Sequence, residues 1–311
     1  MSSRLDKKLG RVGILFGGCS AEREISLKSG KAVLNALRQT GINVVPVLLD
    51  EYPLAAIQAA ELDLAFIALH GPGGEDGTMQ ALLSILGIPF TGSGVQASAL
   101  AMDKLKSKYI LQSCGINTPK FEILQENCDW QAVLTRLGGA AFVKPAHEGS
   151  SIGMSKVTSA EELEKAYHLA RQYDHSVFAE ELIVGSEYTV AILGDRCLPA
   201  IRLETDNPFY DYEAKYISNQ TQYHCPCGLS EDREQQLQQL ALQSFDALGC
   251  EGWGRVDFMA DNSGKFYALE VNTVPGMTDH SLVPMAAAAA GLDFGSLCLN
   301  ILELAVDKES H

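Results

Sequence analysis

The sequence predicts an α/β protein with a parallel sheet in its N-terminal third. Three observations carry that expectation. Short apolar runs alternate with helix-spaced segments through the first hundred residues. The runs near residues 12 and 64 end in glycine-rich turns, Gly17-Gly18 and His70-Gly-Pro-Gly-Gly74. Later segments continue as strands and helices with no internal repeat. Such βαβ alternation favours parallel strands covered by helices, with ligands beyond the carboxyl ends of the strands.

In chain order, Val12–Phe16 reads as a buried strand. Ser20–Leu37 has helical spacing, with Ile25, Ala32, Val33, Ala36 and Leu37 on one side. Val44–Leu49 and Leu64–Leu69 are further strands, Thr78–Leu86 a helix and Ile88–Thr91 a short strand. Glu22 and His70 follow strands one and three. A second unit starts near Met102, with a helix over Lys104–Cys114 and a strand over Ala140–Val143. A turn, Glu148-Gly-Ser-Ser-Ile-Gly153, leads to a return strand ending at Val157. Ser159-Ala-Glu-Glu162 is a capping box opening a helix to about Gln172. Val177–Ile183, Tyr188–Leu193 and Cys197–Leu203 are strands. Periodicity vanishes from Glu204 to Leu229, and a loop this long in a compact domain is usually a lid or binding loop. A helix over Glu231–Leu248, strands over Trp253–Ala260 and Lys265–Val271, and a helix from Asp293 to Val306 complete the chain.

Composition excludes several classes. The 311 residues are 46% hydrophobic and 20% charged, which suits a folded domain rather than a disordered chain. No run reaches the roughly 20 apolar residues of a membrane helix. The apolar stretch after Arg4, Lys7, Lys8 and Arg11 is too short for a signal peptide, so a cytoplasmic protein is expected. A net charge of −15 repels nucleic-acid backbones, so anions need local clusters of Lys, Arg and backbone N–H groups. The eight cysteines read as reduced thiols, and His224-Cys-Pro-Cys227 lacks a second pair with zinc spacing.

The strands flanking Ser263-Gly264 carry the sharpest chemical signal. With those two residues as the hairpin loop, Asp257 lies opposite Glu270 and Arg255 opposite Asn272. Residues two apart share a face, so all four side chains form one patch. Two carboxylates and an amide oxygen suit a hard divalent cation. Facing carboxylates destabilise a plain sheet, which argues against an ordinary solvated hairpin. The turn at 148–153, with Lys144 before it, can wrap backbone N–H groups around phosphate, or it can be a simple connection. Gly92-Ser-Gly-Val-Gln-Ala97 has dinucleotide-fingerprint spacing, but no clear acidic strand end follows, so a turn before a helix is expected. Ser29-Gly30-Lys31 lies within a helix, where Gly30 permits close packing. His147, His168, His175 and His311 read as surface residues.

These segments together resemble the D-alanine–D-alanine ligases of the ATP-grasp superfamily. The resemblance rests on Gly17-Gly-Cys-Ser-Ala-Glu-Arg-Glu24, Ala68-Leu-His-Gly-Pro-Gly-Gly-Glu-Asp-Gly77 and Gly92-Ser-Gly-Val-Gln-Ala-Ser-Ala-Leu-Ala-Met-Asp-Lys104. It continues through Val143-Lys-Pro145, Glu148–Gly153, Tyr210-Asp-Tyr-Glu-Ala-Lys-Tyr216, Gly252-Trp-Gly-Arg-Val-Asp257 and Glu270-Val-Asn-Thr-Val-Pro-Gly-Met277. It implies a three-domain ATP-grasp architecture with an N-terminal parallel-sheet, Rossmann-like domain. Its units are 1–102, 103–187 and 188–311, with a lid loop over 204–229.

By that resemblance Asp257, Glu270 and Asn272 bind magnesium or manganese, two ions per site. Lys104, Lys144, Ser151 and Lys215 meet ATP, Glu180, Glu181 and Ile183 line the adenine pocket, and Glu187 meets the ribose. Glu22 holds the first D-alanine's ammonium, Ser281 the second's carboxylate, and His70 lies beside the acceptor. Ser150 and Tyr216 bond with Glu22, while Arg255 and the Gly276 N–H stabilise an oxyanion. The implied reaction forms an acyl phosphate and then a dipeptide for peptidoglycan synthesis. The implied partners are D-alanine, ATP and a second copy of the chain, with no nucleic acid and no membrane. Pro72, Val274 and Cys227 depart from the usual pattern without touching an implied ligand. A D-hydroxy-acid acceptor and a non-catalytic ATP-binding sensor are the alternatives.

Overall fold

The computed structural model describes residues 9–204, 221–278 and 280–308. Three sheets are present among them. In the first, β1 (Val12–Gly17) lies between β2 (Val44–Leu49) and β3 (Leu64–Ile67), all parallel. Helix α1 (Arg23–Gln39) packs on β1 through Gly30, where a Cβ would stand 2.3 Å from the Phe16 side chain. That contact gives the expected packing glycine its physical reason. Helices α2 (Pro53–Ala60), α3 (Thr78–Leu86) and α4 (Val95–Met102) complete the unit. The expected strand over 88–91 is a single bridge between Phe90 and Ala65, and the fingerprint-like glycines lead into α4 as a turn.

Helix α5 (Lys104–Ser113) starts at Asp103, whose side chain caps the Lys106 N–H. It leads to a four-stranded sheet in the order β4 (Phe121–Ile123), β7 (Val177–Glu181), β5 (Ala141–Pro145), β6 (Ser155–Val157). Helices α6 (Trp130–Arg136) and α7 (Ala160–Ala170) cover it. Ser159 caps Glu162 N as the box predicts, but the Glu162 carboxylate reaches the Thr158 N–H rather than the cap residue's own.

The third sheet runs β11 (Gln222–His224), β10 (Ile201–Glu204), β8 (Gly185–Leu193), β12 (Trp253–Asp261), β13 (Phe266–Asn272), with β9 (Arg196–Cys197) on β8. The strand expected over 197–203 is broken around Pro199, which has no N–H to give a ladder. Part of the expected lid is a strand: β11 pairs with β10 at Leu203–Tyr223. Helix α8 (Glu231–Ala247) packs on this sheet. Helices α9 (Leu282–Ala289) and α10 (Phe294–Lys308) return to the first unit, where α10 packs on α1. Among the described residues no single helix is long and apolar enough to cross a membrane; α9 and α10 qualify only jointly, across a 104° bend.

The β12–β13 register is the expected one at its functional end and different at its turn. Arg255 faces Asn272 and Asp257 faces Glu270, but Phe258 faces Ala268. Asp261 N bonds Lys265 O, so the loop has three residues, 262–264, with Gly264 at φ 85°. A bulge at Leu269 takes up the one-residue shift. Leu269 and Glu270 consequently both border the cavity described next.

Candidate active site

Two cavities meet over that hairpin. The smaller, about 500 Å³, lies between the four-stranded and the large sheet. Phe142, Met154, Leu182, Ile183, Met259 and Leu269 give it apolar walls. Glu181, Glu187 and Lys144 add polar groups, and Ser151, Asp257 and Glu270 stand at one end. The larger, about 1480 Å³, opens toward the first sheet and is bordered by Glu22, His70, Arg255, Asn272, Gly276 and Ser281. Lys104, Gly149, Ser150 and Glu270 border both. The structure thus brings together every expected site residue except Lys215 and Tyr216, which lie outside the described residues.

At the junction, Arg255 donates Nε to Asp257 Oδ1 at 2.8 Å and a terminal N–H to Oδ2 at 2.7 Å. Thr189 Oγ1 donates to Oδ1 at 2.6 Å, and Asn272 Nδ2 to Oδ2 at 3.1 Å. Lys104 Nζ lies 3.5 Å from Glu270 Oε2 and donates to Glu148 O at 2.6 Å. The strands place these groups on one face, and Asp257 is only 8% exposed. Two carboxylates and an amide, already balanced by cations, fit a hard divalent cation. Among the described residues no group of three His, Cys, Asp or Glu side chains is arranged for a metal; here the third donor is an amide.

Glu180 borders the smaller cavity, but its carboxylate turns to two lysines. Lys108 lies 2.7 Å away, fully buried and bonded to Thr118 Oγ1, and Lys144 contacts the other oxygen. Burial opposes ionisation of Glu180, yet the two cations outweigh it and hold its carboxyl below the ordinary value. Burial likewise pushes Lys108 down. Glu180→Gln is expected to lower the unfolding free energy by roughly 3 kcal/mol, because it leaves Lys108 buried beside a neutral amide. Urea denaturation checks this, and an unchanged midpoint would contradict it.

The first sheet's turns build the far side. Glu22, 7% exposed, precedes α1 and accepts from Ser150 Oγ. Its carboxylate is pressed between two glycines: a Cβ on Gly149 or Gly71 would meet Glu22 Oε2 at 2.6 or 2.8 Å. His70 Nδ1 lies 2.9 Å from Val274 O and Nε2 2.9 Å from Ser29 Oγ. A carbonyl only accepts, so Nδ1 carries the proton and Nε2 accepts from the serine. Burial pushes the His70 pKa down, favouring that neutral ring. Ser281 starts α9; its Oγ accepts from Thr278 N at 2.9 Å and lies where a Gly276 Cβ would stand 3.0 Å away.

Sequence reasoning missed Glu75. It accepts from Gly71 N at 2.7 Å and borders the larger cavity. Burial, and then the charge of Glu22, push its pKa to about 8. Its place in Gly73-Gly-Glu-Asp-Gly77 was the available signal. The native state therefore keeps a proton that the unfolded chain releases. Glu75's contribution to stability is fully present below the ordinary carboxylate range and lost as pH rises to about 8. Glu75→Gln is expected to gain Tm relative to the parent as pH rises from about 5 to about 8 and to run parallel above. Parallel melting curves across that whole window would contradict this.

The combination of a parallel-sheet unit with a nucleotide-sized cavity between two further sheets, and a carboxylate–amide face at its end, defines the ATP-grasp class of ligases. Comparison with solved structures agrees. A D-alanine–D-alanine ligase from Bacillus anthracis superposes with a TM-score of 0.87 at 35% identity, covering 97% of this chain and 99% of that one. The same enzyme complexed with ATP gives 0.85 at 33% identity, covering 97% and 99%. A curated D-alanine–D-alanine ligase from Saccharophagus degradans is 60% identical over 294 residues, 94% of each chain. The family profiles described as D-ala D-ala ligase N-terminus and C-terminus match residues 11–57, 52–93 and 110–303. The chain belongs to the D-alanine–D-alanine ligase family.

Proposed function

We propose that this chain condenses two D-alanines to D-alanyl-D-alanine, consuming ATP and releasing ADP and phosphate, in the cytoplasm, for peptidoglycan precursor synthesis. The observation that carries it is the hairpin face of Arg255, Asp257, Glu270 and Asn272, set where the two cavities meet. ATP fills the smaller cavity, with adenine against Ile183, Leu182 and Leu269, ribose near Glu187, and phosphates at Lys104, Lys144 and Ser151. Asp257, Glu270 and Asn272 hold magnesium, which when bound neutralises charge on the phosphate oxygens. Glu22, oriented by Ser150, takes the first D-alanine's ammonium. Ser281 and the N-terminus of α9 take the second's carboxylate.

The first D-alanine's carboxylate oxygen attacks the γ-phosphorus, the bond to ADP breaks, and an acyl phosphate forms. Lys104 and Lys144 balance the charge on the transferring group. The second D-alanine's neutral amine then attacks the acyl carbon, its surplus proton passing to solvent. Arg255 and the Gly276 N–H face the oxygen that gains charge, and the C–O bond to phosphate breaks. Neutral His70 donates nothing through Nε2 and shapes the acceptor side. Of the three units, 1–102 supplies Glu22 and His70 on the amino-acid side, 103–187 one wall of the ATP cavity, and 188–311 the other wall together with Arg255, Gly276 and Ser281. Exposed Leu48, Tyr52 and Leu54, on and just after edge strand β2, support a homodimer.

Phosphate release from magnesium ATP, measured with D-alanine, L-alanine, and D-alanine plus D-lactate, tests the reading. Release with D-alanine alone, yielding the dipeptide by mass, is expected. Turnover that requires the hydroxy acid would move the acceptor assignment, and nucleotide binding without turnover would make the protein a sensor.

A further inference from the structure

His147 lies outside the catalytic constellation, yet it sits at the stem of the glycine-rich turn. Its neighbours on both sides are tied to the start of α5: Lys104 N donates to Ala146 O at 3.0 Å, and Lys104 Nζ to Glu148 O. Between those two ties the His147 ring bridges two carboxylates. Nδ1 lies 2.8 Å from Asp174 Oδ2, and Nε2 lies 3.3 Å from Asp103 Oδ2. The His147 backbone N–H also donates to Asp174 at 2.8 Å. Ionised carboxylates only accept, and a neutral imidazole can donate from one nitrogen alone, so satisfying both contacts requires the cation. Asp103 is the cap of α5, and Asp174 is itself held by the Ser176 N–H.

The turn beyond this stem needs external support. Ser150 and Ser151 both have left-handed backbones, φ 50° and 61°, which side chains other than glycine adopt at a cost. Such a conformation persists where its surroundings over-determine it. Ser150 is tied to Glu22 on one side, and the stem supplies the other.

We propose that His147 is a positioning residue for nucleotide binding: its cationic ring locks the stem of the 148–153 turn between Asp103 and Asp174, and so fixes Lys104 and Ser151 at the phosphate end of the ATP cavity. This rests on the reading of the smaller cavity as the ATP site. The hydrogen bond to Asp103, against burial and together with that to Asp174, pushes the His147 pKa to about 9. The lock is therefore complete at neutral pH and is lost as pH rises through about 9. The other charged or titratable groups around it are Lys104 and Lys106 on α5, Glu148 in the turn, and Arg171 and His175 beside Asp174, where Arg171 donates to His175 Nδ1.

The test is equilibrium binding of a non-hydrolysable ATP analogue with magnesium to the full chain, His147→Ala and His147→Arg. His147→Ala is expected to weaken binding about three- to fivefold at neutral pH, the scale of half-exposed ion pairs, with the KM for D-alanine unchanged. His147→Arg restores it, since a guanidinium reaches both carboxylates and stays charged. Between about pH 7 and about pH 10 the parent loses affinity relative to His147→Arg, whereas their shared lysines affect both alike. That second comparison needs only the charged variant. Binding by His147→Ala equal to the parent's, or parallel pH profiles for parent and His147→Arg, would overturn the inference while leaving the ATP site standing. No nucleotide binding by the parent itself would remove both.

Discussion

Asp257→Asn is expected to cut turnover about 10³-fold or more while the protein stays folded, on the several-kcal/mol scale of Lewis-acid stabilisation. The Asp257 carboxylate has two tasks. It is one of two anionic donors on the hairpin face, opposite Glu270. It also anchors Arg255 through two hydrogen bonds. An amide keeps the shape and one acceptor oxygen but loses the charge, so both the divalent cation and Arg255 are held less firmly. Steady-state kinetics across a magnesium titration check this. The variant should need more magnesium for half-maximal rate, in addition to its lower maximum. Full activity at ordinary magnesium would remove Asp257 from the machinery.

Arg255→Ala is expected to lower kcat about 10²- to 10³-fold with little change in the KM for ATP, the range found on removing one oxyanion donor. The physical reason is placement: Arg255 borders the larger cavity and not the smaller, so under the proposed function it faces the acyl centre rather than the nucleotide. Its effect belongs to the transition state, where the carbonyl oxygen gains charge, and such a loss appears in kcat. The magnesium requirement should stay near the parent's, which separates this variant from Asp257→Asn. A loss confined to the KM for ATP would place Arg255 on the phosphates instead.

How far the site was readable depended on the range of the interactions that build it. The hairpin face is local in sequence, and period-two alternation alone puts Arg255, Asp257, Glu270 and Asn272 together. The compensating pair of a three-residue loop and a bulge at Leu269 was not readable. Two one-residue shifts cancel at the functional end, and only the ladder reveals them. Short elements escaped for a related reason: β11 has three residues and no apolar alternation, and its pairing with β10 alone defines it. Glu75 and His147 are each ordinary in their own segments. What distinguishes them is contact across the chain, Glu75 facing the charge of Glu22 and His147 spanning Asp103 and Asp174. The family resemblance implied roles for Glu22, His70 and Ser281, which no periodicity could have joined.

The most direct measurement follows oxygen from D-alanine labelled with ¹⁸O in its carboxylate, supplied with magnesium ATP. If the carboxylate attacks the γ-phosphorus and the amine later expels that phosphate, each dipeptide formed leaves one labelled oxygen in the released phosphate. Dipeptide formed with unlabelled phosphate would contradict the acyl phosphate, and with it the roles given to the two joined cavities.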